Sequence, residues 1–304
     1  MTRIGKLHDK TAGGDVEDRG RIGGGGVVSE SAQSWRSAFP VLYNVRVSFG
    51  RIIENVRRRF SPRQSPTESE RKRYGLDLNS GDRHYRAWVG PPEEYGEIAA
   101  LQVTLMLAAG LLETHKLCDV GCGSLRAGRM LIPYLRPGNY HGIEPEQWLV
   151  EEGVENELGQ SILEAKRNSG RFASNFPLED FGVPFDFVVA QSVFSHTHPD
   201  LLQLGLSKIA AALADNGKLL ATWNEGYSTK QGSGWIHKGI KPCTWEEMRD
   251  YAAKSGLAAM RLKWPHPRQS WFVAARSEET INGLATSLRT PRPGWGRKRP
   301  WRKK

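Results

Sequence analysis

Disulfides cannot organise this chain. It has only three cysteines in 304 residues, Cys118, Cys122 and Cys243, and two of them fall inside one glycine-bearing stretch. So few thiols exclude a cystine framework, and their spacing does not match paired-cysteine zinc sites. The simple reading is a reduced, cytoplasmic setting with no bound metal. No apolar run reaches the eighteen or so residues that a membrane span requires. The charged, glycine-containing start Met1-Thr2-Arg3-Ile4-Gly5-Lys6 does not read as a secretory signal. The glycine-rich turn also lacks a Gly-Lys-Ser/Thr ending, which excludes a P-loop for nucleoside triphosphates.

Acidic residues are scarce at both ends. Residues 1–75 carry 15 Lys/Arg against 8 Asp/Glu, and residues 289–304 carry 8 Lys/Arg and no acid. The middle, 76–288, holds 20 basic and 25 acidic residues, so the net charge of +10 belongs to the ends and the body is mildly acidic. A nucleic-acid groove across the body is disfavoured, whereas the ends could act as phosphate-binding arms. Three regions follow: a flexible basic N-terminal region (1–75), a folded domain (76–288) and a disordered basic tail (289–304). Residues 1–33 are glycine-rich and poor in core formers. In 34–60, Trp35, Phe39, Val45, Ile52 and Phe60 alternate with Arg46, Arg51 and Arg57–Arg59. That segment could form a basic amphipathic helix, resting on an anionic membrane surface or packing on the domain. A linker with Pro62 and Pro66 separates it from the rest.

The domain alternates strand and helix patterns. Helices are predicted over 98–112, 129–135, 148–166, 200–214 (ended by an Asp215-Asn216-Gly217 turn) and 244–254, with Thr244 as N-cap. Strands are predicted at 117–119, 140–144, 171–176, 185–190, 218–223, 258–264 and 270–275. This order implies a doubly wound, seven-stranded, mostly parallel sheet, the last two strands forming a hairpin that contributes one antiparallel strand.

The richest stretch is Leu117-Cys118-Asp119-Val120-Gly121-Cys122-Gly123-Ser124-Leu125-Arg126-Ala127-Gly128. A strand ends in an acid, glycines follow, and a helix begins. Glycine permits backbone angles closed to other residues and close approach of a ligand. The second strand ends in Glu144, about twenty residues past the glycines, the spacing of a carboxylate that binds two ribose hydroxyls. Dinucleotide sites place a third glycine three residues after the second, where this chain has Arg126. A strand-ending acid can also merely cap the next helix.

Asp119, Gly121 and Gly123 with Glu144 resemble the first two motifs of the class I S-adenosylmethionine-dependent methyltransferases, and the resemblance extends over residues 85–275. Within that superfamily, the stretches 119–128, 142–145, 190–197 and 264–269 are similar to a poorly characterised bacterial group. The resemblance implies an enzyme that uses S-adenosylmethionine. It places Asp119 by the methionine amino end and Gly121-Cys122-Gly123 under the cofactor, with Glu144 on the ribose. Asn175 and Phe176 would flank the adenine, and Gln191 would face the methionine part; many relatives have Asp where Asn175 stands. The cofactor is cationic and has no phosphate, so carboxylates suit it and a lysine cradle is unnecessary.

Acceptor residues should come from loops at the carboxyl ends of the strands. His196 or His266 could serve as general base, and Arg268 could hold an anionic substrate group. Each has a blander reading: a histidine before a helix often shapes a turn, and Pro265 and Pro267 around His266 fit a hairpin. His196 and His198 lack a third ligand nearby, so no metal is assigned. The long 224–243 loop adds Tyr227, Trp235 and His237. The Asn/Asp-Pro-Pro-Tyr/Phe motif that often accompanies methylation of amide or base nitrogens is absent, and Gln191-Ser192-Val193-Phe194 stands in its place. That favours a hydroxyl or carboxylate of a small molecule or glycan. The alternatives are RNA methylation using the basic ends, or a non-catalytic scaffold that binds S-adenosylmethionine. Oligomeric state is open.

Overall fold

The computed structural model describes residues 65–227, 232–236 and 239–287. The 34–60 segment, the rest of the N-terminal region up to residue 64, the 289–304 tail and His237 lie outside them. The chain divides into two compact units, Met1–Ser65 and Pro66–Lys304, and every element named below lies in the second.

Seven strands form one sheet: β1 (Leu117–Val120), β2 (Tyr140–Ile143), β3 (Ser169–Arg171), β4 (Phe185–Ala190), β5 (Leu213–Trp223), β6 (Ala258–Leu262) and β7 (Ser270–Ala275). Their order is β3-β2-β1-β4-β5-β7-β6, and only β7 runs antiparallel to its neighbours. This is the sheet the alternation of patterns predicts. The central strands are apolar along their length because both faces are covered. Their two-residue period sorts side chains between two cores. Val188, Ala190, Leu219, Ala221, Phe272 and Ala274 face one core, shared with α6 (Pro199–Ala212) and α7 (Trp245–Lys254). Phe187, Val189, Leu220, Trp271 and Val273 face the other, shared with α2 (Tyr95–Ala108), α3 (Gly128–Tyr134) and α8 (Glu278–Ser287). Helix α1 (Glu68–Tyr74) opens the unit with a capping box between Thr67 and Glu70. The predicted cap on α7 is also present, Thr244 and Glu247 bonding each other's backbone N–H.

Four element boundaries differ from the sequence pattern. Residues 148–166 do not form one helix: α4 (Gln147–Gly153) passes into a π turn (Val154–Leu158), and Gly159 at φ 88° ends it before α5 (Gln160–Lys166). The apolar spacing was helical, but it could not register a glycine required to leave the right-handed region. Strand β3 lies at Ser169–Arg171 rather than 171–176, because Phe176 adopts φ 56° just ahead of Pro177. Asp215-Asn216-Gly217 does not cap a helix but loops out within β5. Pairing with β4 jumps from Phe185↔Leu213 to Phe187↔Lys218, and a Cβ on Gly217 would come within 2.5 Å of the Phe185 carbonyl oxygen. Helix α2 starts at Tyr95 and ends at Ala108, two residues ahead of Gly110 at φ 94°. Among the described residues no helix is long and apolar enough to cross a membrane.

Gly153 ties this architecture to the site. A Cβ there would lie 2.3 Å from the carbonyl oxygen of Ser124, inside the glycine turn. Gly153→Ala must therefore push α4 away from the turn, an overpacking cost of about 1–3 kcal/mol. The expected result is a melting temperature lower by several degrees, read by thermal denaturation; an unchanged value would show that α4 is free to shift.

Candidate functional site

The site is built on the turn after β1. Gly121, Gly123 and Leu125 take φ of 67°, 56° and 57°, so left-handed residues recur at alternate positions. Two of the three are glycines and avoid the usual cost of about 1–2 kcal/mol. Leu125 bears that cost, but its side chain is buried in the core, and a buried leucine contributes about 1.5–3 kcal/mol. The turn is held from β2: Gly121 and Cys122 donate N–H to the Ile143 carbonyl at 2.8 and 3.1 Å. It is held again by Glu144, whose Oε2 accepts from Gly123 N at 2.9 Å and whose Oε1 accepts from Glu146 N at 3.2 Å. Burial pushes the Glu144 carboxyl above its usual value, and the N–H groups of Glu146 and Gly123 oppose that shift.

Asp119 is buried at the end of β1 and accepts a hydrogen bond of 2.8 Å from the Tyr140 hydroxyl. Burial raises its carboxyl to about 7, against the pull of Tyr140 and the positive charge of Arg126. Cys118 and Cys122 are buried, and burial raises both thiols well above their ordinary value, so they serve as small apolar fillers rather than nucleophiles.

A segment ahead of β1 completes the turn. Val89 packs so closely that a Cβ on Gly123 would lie 2.8 Å from its methyl group, and the Tyr95 hydroxyl donates to the Ser124 carbonyl at 3.1 Å. Arg126, noted in the sequence as a missing glycine, is a buried cation. It donates to the Val89 carbonyl at 2.8 Å and to Gln191 Oε1 at the end of β4. The only signal available in the sequence was a charged residue where the chain should be tightly packed.

Gln191 leads on to the β6–β7 turn, its amide nitrogen 3.2 Å from His266 Nε2. His266 Nδ1 lies 3.1 and 2.9 Å from the backbone N–H groups of Arg268 and Gln269. Two N–H donors occupy Nδ1, so the one proton of the neutral ring sits on Nε2 and neither nitrogen is free to take another. Burial and the positive charges of Arg126 and Arg268 hold the imidazole down to about 4, so it is neutral. Arg268 pairs with Glu94 at the foot of α2. The structure therefore brings Gln191, His266 and Arg268 together, next to Arg126.

His196 stands apart from that cluster. It closes the short turn Phe194–His196 after β4, and its Nδ1 lies 2.9 Å from the Gly239 carbonyl. A carbonyl only accepts, so Nδ1 carries the proton and Nε2 is left as the basic nitrogen. Burial lowers this histidine below its ordinary value, with the Gly239 bond opposing. The 224–243 loop holds the turn: Ile236 N and Lys241 N donate to the carbonyls of His196 and Ser195, both at 2.7 Å. Behind it, Gln269 Nε2 donates to Ser192 Oγ at 2.9 Å while its Oε1 accepts from Thr222 at 2.6 Å. Ser192 itself is strained, at φ 62°. Of the residues expected at the adenine, Asn175 is exposed. Phe176 is buried against Trp235, ring centroids 5.6 Å apart. Among the described residues no group of three or more His, Cys, Asp or Glu side chains is placed to hold a metal ion.

Residues 118–219, from β1 into β5, match the family model described as a methyltransferase domain. The matched stretch is about a third of the chain and holds the glycine turn, Glu144 and Gln191. No curated protein matches the chain in sequence. Among solved structures the chain is similar to magnesium protoporphyrin IX methyltransferase from Synechocystis with bound S-adenosylmethionine, at 15% identity over 69% of this chain and 92% of that one, TM-score 0.48. It is also similar to a mitomycin 7-O-methyltransferase, at 20% identity over 64% and 56% of the two chains, TM-score 0.47. A TehB-like methyltransferase from Corynebacterium glutamicum matches at 16% identity over 61% and 95%, TM-score 0.45. The residues at the turn suit a cationic, phosphate-free cofactor: two buried carboxylates, Asp119 and Glu144, flank it.

Proposed function

We propose that this chain is a methyltransferase that uses S-adenosylmethionine and acts on an oxygen, a hydroxyl or carboxylate, of a small molecule or glycan. The observation that carries this reading is His196, a proton-free nitrogen held on a rigid turn at the end of β4 by the Gly239 carbonyl. A hydroxyl must lose a proton as it is methylated, and a fixed neutral imidazole is suited to take it. His266 is less suited, because its Nδ1 already accepts two backbone N–H groups and its Nε2 carries the ring proton. The Ser192–Gln269–Thr222 network gives the acceptor wall hydroxyl and amide groups, in keeping with a polar, hydroxylated acceptor.

Bound S-adenosylmethionine supplies a methyl group already activated on a sulfonium. Glu144 would hold the ribose, Asp119 the methionine ammonium, and the glycine turn would let both approach the backbone. Gln191, at the carboxyl end of β4, would face the transfer point. The protein's part is alignment, with His196 as the base.

The test is to incubate the protein with methyl-labelled cofactor and fractionated cell extract and to identify the labelled product. Label on a small or glycan oxygen supports the reading. Label on RNA, lost together with salt-dependent RNA binding when residues 289–304 are deleted, would replace it. With the active fraction as acceptor, His196→Ala is expected to slow turnover by about 100-fold or more. The wild-type rate should fall as pH drops below the ordinary histidine range, since burial lowers His196 and the base must be unprotonated. Wild-type turnover in the alanine variant would remove His196 from the chemistry.

A further inference from the structure

Two buried charges of opposite sign stand at the glycine turn without ionic partners. Asp119 is 2% exposed, and its only hydrogen-bond partner among the described residues is the neutral Tyr140 hydroxyl. Arg126 is 7% exposed, and its hydrogen bonds go to neutral oxygens, the Val89 carbonyl and Gln191 Oε1. Its Nε is buried with no partner at all. The two charges sense one another, yet no salt bridge joins them. A buried guanidinium is normally matched by a carboxylate, because leaving it unmatched is costly. Nearby acids do not meet the need: Glu94 is committed to Arg268, and Glu144 accepts two backbone N–H bonds at the other side of the turn.

A molecule that carries an ammonium and a carboxylate on one carbon would satisfy both groups at once. We propose that Arg126 is the carboxylate receptor of this site and that, with Asp119 opposite it, it forms a zwitterion clamp for the amino-acid end of the cofactor. The proposal rests on the cofactor reading above and adds a binding residue outside the acid-x-Gly-x-Gly motif. The arrangement explains why a charged side chain occupies the tightly packed start of α3. Gln191 is then a positioning residue. Its Oε1 holds the guanidinium from β4, and its amide ties it to the β6–β7 turn through His266.

Direct binding separates this role from catalysis, since no turnover is needed. The probes are S-adenosylhomocysteine, decarboxylated S-adenosylmethionine and methylthioadenosine, which lacks the amino-acid end; the readout is isothermal titration on the full chain. Arg126→Met is expected to weaken S-adenosylhomocysteine by about 30- to 100-fold, the scale of a lost charge-assisted, bidentate contact. Its affinity for methylthioadenosine should stay within about 2-fold of wild type. Arg126→Lys should recover part of the loss, because it keeps the charge but not the fork. Equal affinity of Arg126→Met and wild type for S-adenosylhomocysteine would overturn the proposal, as would an equal loss for both ligands. If Arg126→Met does not fold, the wild-type protein decides. It should bind S-adenosylmethionine about 30- to 100-fold more tightly than the decarboxylated form, and no preference overturns the clamp. A wild-type protein that binds none of the three probes overturns the cofactor reading and the clamp with it.

Discussion

Asp119→Asn is expected to make the cofactor-free protein more stable at pH 8 while sharply weakening its hold on S-adenosylhomocysteine. Burial raises the Asp119 carboxyl to about 7 from an ordinary 3.8. The folded state therefore binds this proton more tightly than the unfolded chain does. Below about pH 4 both states are protonated and the group is neutral to stability. As pH rises through 4 to 7 the unfolded chain ionises first, and the fold loses stability; above 7 the full cost is present. At 1.36 kcal/mol per pKa unit that cost approaches about 4 kcal/mol. Asparagine has no charge and still accepts from Tyr140, but its amide hydrogens need partners of their own, so a net gain of about 2 kcal/mol is the reasonable expectation. For a domain of this size that means several degrees in melting temperature at pH 8, and no gain near pH 4. A variant less stable than wild type at pH 8 would show that the carboxylate is already neutralised in the free protein. By the same linkage, wild-type affinity for S-adenosylhomocysteine should rise between pH 6 and 8, as Asp119 ionises among Tyr140, Arg126, Glu144 and the two thiols.

Glu144→Ala is expected to reduce affinity for S-adenosylhomocysteine and methylthioadenosine together, each by at least about 100-fold. Both carboxylate oxygens accept backbone N–H groups, from Gly123 and Glu146, so removal leaves two buried donors unpaired as well as taking away the proposed ribose ligand. Each unpaired donor costs about 1–3 kcal/mol, enough to loosen the turn on its own. Glu144→Gln keeps one acceptor and turns an amide nitrogen toward the other donor, so an intermediate loss is expected. Methylthioadenosine separates the two ends of the site. It carries the ribose and lacks the amino acid, so it should report Glu144 substitutions and ignore Arg126 substitutions. Unchanged methylthioadenosine affinity in Glu144→Ala would sink the ribose assignment.

Particular residues show which parts of this protein were legible in sequence. The central strands were, since apolar runs such as 185–190 and 270–275 are buried on both faces and need no partner's identity to be recognised; the edge strand β3 was not. The α7 cap was, because Thr244 and Glu247 are local in the chain. The break at Gly159 and the loop-out at Gly217 were not. A glycine marks a place where backbone freedom is available, and only the approach of the Phe185 carbonyl shows why it is needed at 217. Leu125 is the converse: a left-handed residue that no glycine announces, tolerated because its side chain packs into the core.

The site divides in the same way. Asp119, Gly121, Gly123 and Glu144 could be read directly, because each ends a strand or lies in the turn next to it, and chain spacing sets their separation. Arg126, Val89 and Tyr95 could not. They meet through a segment that returns across the turn from before β1, and no local pattern encodes that approach. The two histidines illustrate the limit: sequence offered both as candidate bases. The tertiary structure surrounds His266 with donors and gives His196 a carbonyl, and proton bookkeeping then tells them apart. The sequence alone determined the order of the sheet and the glycine turn, because these depend on local periodicity and spacing, and its cofactor reading came from the resemblance those motifs carry. Only the tertiary structure decided which charges are buried and unpaired, because that depends on contacts between segments far apart in the chain.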